Sequence, residues 1–224
     1  AAELVYQGKL GPGKQLARAT IDGMAQVGLT WRNKQLKQLL VRVGLPGLAW
    51  NERAGIGIEA SVDNLQLNDW RAFVAKAPTK SVSQKLVQAM PTFQRLNLQT
   101  KALMAGEENL GPVRLSLVRE EADWIISADN IQPSALPKWP STHVEARVKP
   151  QATGWLVEPL RLSQPNADFN GKLSWRTGPR ASTQLSGQVD TRASAALFTQ
   201  LGLSGGLESR SGQLNAELAW PGDP

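Results

Sequence analysis

Apolar and polar residues alternate along most of this chain, and that alternation constrains its fold more than any other feature. Successive side chains of a strand point to opposite faces, so a period of two describes a strand with one apolar face. Ala25, Val27, Leu29 and Trp31 alternate with Gln26, Gly28 and Thr30, and Ile56, Ile58, Ala60 and Val62 alternate with Gly57, Glu59 and Ser61. The pattern recurs at Leu96 and Leu98, and at Val113, Leu115 and Leu117 against Arg114 and Ser116. It continues through Trp124–Ala128, Val144–Val148, Phe169–Trp175, Leu185–Val189 and Leu214–Trp220. The stretch Leu36–Leu45 fits either a helix or a strand, and the strand through Leu39, Val41, Val43 and Leu45 is preferred.

On the order of a dozen strands exceed the roughly ten that an open sheet carries before it curls, splits or closes. With short turns between them, they predict a mainly β chain of antiparallel meanders. The apolar face then needs cover. A β-sandwich or closed barrel covers it with more of itself. A long twisted antiparallel sheet curled into an open hydrophobic groove leaves it for an apolar ligand. Periodicity alone does not separate these.

Helical spacing is confined to a few connectors. Asp69 can cap a helix carrying Trp70, Phe73, Val74 and Ala77, stopped by Pro78. Ser81 and Gln84 have capping-box spacing ahead of Leu86 and Ala89, and Pro91 prevents continuation. Thr191 or Ser194 can start a third short helix with Leu197, Phe198 and Leu201, ended by Gly202. These signals predict a first β segment over 1–75, a helical connector over 76–91 and a second β segment over 92–224.

Composition removes several chemistries. The 224 residues hold no cysteine and one histidine, His143, so neither a disulfide, a thiolate centre nor a histidine-rich metal site is available. No metal and no cofactor are expected. Lys and Arg number 25 against 19 Asp and Glu, a net charge of +6 without any basic run, which argues against a nucleic-acid partner. Ser141 and Thr142 adjoin His143, but neighbours on a strand face opposite sides and no nucleophile elbow is present. The pairs Glu107-Glu108 and Glu120-Glu121 read as solvated hairpin ends. No enzyme is expected. Eight tryptophans against one tyrosine and four phenylalanines suggest strand ends where an apolar surface meets water, or a stacking surface for sugars.

The ending Gly212-Gln213-Leu214-Asn215-Ala216-Glu217-Leu218-Ala219-Trp220-Pro221-Gly222-Asp223-Pro224 resembles the AsmA-like superfamily, in its YhdP branch of large Gram-negative envelope proteins. Leu65-Gln66-Leu67-Asn68-Asp69-Trp70 is similar to that family's motif before a helical insertion, and Leu173-Ser174-Trp175 to one of its strands. Leu201-Gly202 ahead of Gly205-Gly206 is similar to the stretch before its terminal motif, although Glu208-Ser209-Arg210 interrupts the glycine-rich run. The resemblance implies an internal periplasmic segment of a bridge-like lipid-transfer protein, anchored in the inner membrane by a part outside it. Phospholipids would be its ligands and outer-membrane or other envelope proteins its further partners, in support of outer-membrane lipid homeostasis. Expected lining residues of the groove are Ile56, Ile58, Val62, Val113, Leu115, Leu117, Leu173, Leu185, Val189, Leu214 and Leu218; Arg114 and Arg176 are read first as solvated surface residues and only second as partners of anionic headgroups.

Overall fold

The computed structural model describes residues 2–11, 14–21, 24–45, 54–68, 91–134, 139–179, 181–200 and 211–222. The chain is mainly β, and among the described residues its strands follow one another in a sheet order that does not close on itself. It divides into two compact units, Ala1–Glu107 and Glu108–Pro224.

The first unit holds β1 (Ala2–Gly11), β2 (Lys14–Ile21), β3 (Ala25–Arg32), β4 (Gln35–Val43), β5 (Gly55–Gln66) and β6 (Phe93–Ala105), paired in that order. Strands β1 to β4 form an antiparallel meander. The residues from Gln35 onward are strand, as preferred above, and the β3–β4 turn places Asn33 and Lys34 at positive φ. The expectation of antiparallel pairing throughout is corrected at β4–β5 and β5–β6, which are parallel. Parallel neighbours need a crossover of about a dozen residues or more. The chain supplies two long connections, 44–54 and 67–92. The expected helices from Asp69 to Pro78 and from Ser81 onward fall in the second connection and lie outside the described residues, except that Leu67 and Asn68 are already helical.

The second unit begins with the two-residue β7 (Glu108–Asn109) and continues as β8 (Val113–Glu120), β9 (Asp123–Ile131), β10 (Thr142–Gln151), β11 (Gly154–Ser163), β12 (Ala167–Arg176), β13 (Ser182–Thr191) and β14 (Gly212–Pro221). From β8 to β14 every strand pairs with its chain neighbours, and every pairing is antiparallel. One helix, α1 (Ser194–Gln200), follows β13. It starts at the serine singled out above; Thr191 belongs to β13 and accepts from the Ala193 amide through its hydroxyl. Leu201 and Gly202 lie outside the described residues.

Candidate functional site

Cross-strand partners share a face of a sheet, so the register can be read as rows running perpendicular to the strands. In the second unit one row joins Leu115, Ala128, Val144, Leu162, Phe169, Val189 and Leu214. Two residues along, the next row joins Leu117, Ile126, Ala146, Leu160, Gly171, Gly187 and Ala216. The third joins Trp124, Val148, Val157, Leu173, Leu185 and Leu218, with Arg119 at its β8 end. A bulge in β11 takes three steps from Val157 to Leu160 where β10 takes two from Ala146 to Val148 and β12 two from Gly171 to Leu173, which keeps the apolar residues on one side.

These rows keep contact with solvent. Leu115, Leu117, Leu173, Leu185 and Val189 are half-buried, and Leu214 and Leu218 on β14 are 43% and 56% exposed. In a sandwich core such side chains would be sealed by a facing sheet. Full burial in these rows is limited to the small side chains of Ala128 and Ala146. Val113 shares the parity of Leu115 but is 2% exposed, so it belongs to the core. Between the first and third rows the sheet dips at the partnered glycines Gly171 and Gly187. A Cβ on either would come within 2.5–2.6 Å of the Phe169 ring tip, so the ring occupies the space their missing side chains leave.

The strand ends bordering this face differ. At one side lie buried polar groups, Thr142, Gln164 and Thr191, with Leu197 and Ser194 of α1 also buried. The Thr142 hydroxyl accepts from Trp139 Nε1 and Gln164 Nε2, each at 2.9 Å, and donates to the Pro140 carbonyl at 3.1 Å. Its hydrogen-bonding capacity is thereby filled. At the other side Trp155 pairs directly with Trp175, and Trp220 pairs with Thr183 in the same row. A concavity of about 370 Å³ lies there, lined by Gln151, Thr153, Gly154, Trp155, Leu156, Ser174, Trp175 and Arg176. Three tryptophans thus sit at a wet border, as the strand-end reading of their number expects.

The opposite face of the second unit is mostly polar, with Val118, Ile125 and Leu156 as apolar members. Ser116, Ser127, Glu145, Arg161, Asn170, Gln188 and Asn215 form its central row. His143 lies on this face, with Nδ1 2.5 Å from Asp129 Oδ1 and Nε2 3.4 Å from Glu145 Oε1; Arg161 approaches the same Glu145 at 3.7 Å. Partial burial alone would lower the imidazole pKa, but the hydrogen bonds and charges of Asp129 and Glu145 together outweigh it and raise it. Arg147 bridges Glu120 at 2.9 Å and Asp123 at 3.1 Å across the β8–β9 hairpin end. Glu120 and Glu121 both lie exposed at that end, as their sequence position suggests. Arg114 and Arg176 are exposed, and both occupy registers of the polar face.

The first unit repeats the apolar rows. Ala17, Leu29, Leu39, Ile56 and Phe93 form one, and Ala19, Val27, Val41, Ile58 and Leu96 the next. Val62 extends the same face beyond Ala60. All ten row members and Val62 are half-buried. The other face is mixed and more deeply covered: Leu16 and Leu40 are 1% and 0% exposed, beside buried Thr30, Gln38 and Arg95. There Arg42 Nε meets Glu59 Oε2 at 2.9 Å, and Arg95 reaches the same carboxylate at 3.8 Å.

Within its own unit, therefore, each expected lining residue falls on the apolar face, with Val113 set apart by its burial. Sequence reasoning did not list Val144, Val148, Val157, Leu160, Leu162 or Phe169, which complete the rows. For Val144 and Val148 the alternation already held the signal; in β11 the bulge breaks it. No family model, curated protein or solved structure matches this chain.

Proposed function

We propose that this chain is a lipid-sheltering segment of a bridge-like transfer protein of the Gram-negative periplasm, without covalent chemistry of its own. The observation that carries this reading is the set of apolar rows that cross seven strands of the second unit without a charged residue between β9 and β14. Contiguous apolar surface of that extent on one face marks a binding surface. An acyl chain laid along such rows gains about 0.8 kcal/mol for each methylene removed from water. Successive rows offer similar environments, so a chain can move along them without leaving one deep minimum. Charged headgroups stay at the strand-end border, where tryptophans and polar side chains meet solvent. The sequence resemblance to the AsmA-like superfamily supports the same reading and supplies its expected location and anchoring.

Native mass spectrometry of the purified chain, followed by organic extraction, tests it. Phospholipid is expected to copurify. It should be lost in a Leu115→Asp, Leu185→Asp double variant whose β-sheet circular dichroism persists. A folded, lipid-free chain overturns the reading and favours an envelope scaffold or assembly module.

A further inference from the structure

We infer that the first unit carries a binding site for a phosphate-class oxyanion on the face opposite its apolar rows, formed by Arg18, Gln26 and Thr30 around Gly28. This goes beyond the lipid reading and does not depend on it. Arg18 on β2 is the direct partner of Gly28 on β3, and Gln26 and Thr30 lie two residues to either side of that glycine. All three side chains therefore share one face, and Arg18 sits diagonally from both, at roughly 7–8 Å between strands. Gly28 leaves the centre of this arrangement without a side chain.

Three atoms there lack hydrogen-bond partners although they are buried: Arg18 Nε, Gln26 Oε1 and Thr30 Oγ1. Thr30 as a whole is only 5% exposed. Buried polar groups are ordinarily satisfied, so three that flank one glycine call for a shared partner. Charge points the same way. Glu59 is already engaged by Arg42 and Arg95, and among the residues whose side chains are described no carboxylate is ion-paired with Arg18. An anion would complete it. The guanidinium supplies a forked donor suited to phosphate, the Thr30 hydroxyl a second direction, and the Gln26 amide a third once turned to present Nε2. Donors drawn from two neighbouring strands suit an anion with several acceptor oxygens. Arg18 and Gln26 are half-buried, so both side chains reach solvent with part of their length, while the three unpartnered atoms themselves are covered.

The source of the phosphate is either a free anion or a lipid headgroup, and calorimetry with inorganic phosphate beside flotation with phosphatidylglycerol vesicles separates them. Expected is saturable binding of one phosphate per chain at constant ionic strength, weakened at least ten-fold in Arg18→Gln and in Thr30→Val and unchanged in Arg176→Gln. Arg18→Lys, which keeps the charge but not the fork, should bind at an intermediate strength, and thermal melts establish that each variant is folded. Vesicle flotation that needs Arg18 and is competed by phosphate assigns the site to a headgroup; phosphate binding without flotation assigns it to a free anion. Absence of saturable binding to either probe, or binding by folded Arg18→Gln equal to that of the parent, overturns the site. The Leu115→Asp, Leu185→Asp chain should retain phosphate binding, so failure of the lipid reading and failure of this site are told apart.

Discussion

The two units share one pattern of apolar rows but cover different faces. In the first, the mixed back face is covered at its centre, with Leu16, Leu40 and Arg95 almost without exposure. In the second, the polar face is largely open, and the deepest burial is at Thr183 between Trp175 and Trp220, at Val113 and along the strand ends near α1. The difference teaches where stability is lodged. The first unit concentrates it in side chains behind its apolar face, whereas the second distributes it along an uninterrupted antiparallel ladder.

That contrast is broken most sharply by the same substitution on each side. Leu40→Asp places an unpaired carboxylate in a fully covered site and should cost at least about 4 kcal/mol. Leu185→Asp, on a half-buried row, should cost about 1 kcal/mol. Urea denaturation followed by circular dichroism measures both, and equal costs would abolish the distinction. Next in size is Glu59→Gln, which strips Arg42 and Arg95 of their shared carboxylate. About 3 kcal/mol should be lost in the same assay.

In the second unit the corresponding sensitive point is steric. Gly171→Val drives a side chain into the Ser186 carbonyl, 2.4 Å from the Cβ position, and into the Phe169 ring. A loss of about 2 kcal/mol is expected, and Phe169→Ala in the same chain should relieve the ring's share of it.

The smallest effect concerns pH. The folded-state pKa of His143 is raised, so its pairing with Asp129 and Glu145 stabilises the fold fully below the unfolded value of about 6.5 and ceases to do so as pH rises through the folded value. Because His143 is the only histidine, one imidazole resonance titrates by nuclear magnetic resonance. Its midpoint should lie above that of a denatured control and fall in Asp129→Asn.

Much of this architecture was legible because alternation reports on a face directly. Val113, Leu115 and Leu117 identify β8, and Leu185 to Val189 identify β13, with the correct parity. Strand β11 was not, since its bulge moves the apolar set from Trp155 and Val157 to Leu160 and Leu162, and Pro159 reads as a strand breaker. Parallel pairing of β5 with both neighbours was also hidden, because periodicity carries no strand direction. The three residues around Gly28 were invisible for a third reason. Arg18, Gln26 and Thr30 look like ordinary outward polar positions, and only the register shows them sharing a face with covered Leu16 and Leu40.

The row register has a consequence for scale. Each row takes one residue from every strand it crosses, so the length of the apolar track is set by the number of strands, at about 4.8 Å apiece. A duplicated hairpin would lengthen the track by two such steps while leaving the earlier pairings in place, as a ladder grows by rungs. The length of the apolar face can therefore change in fixed increments, without alteration of the rows already in place.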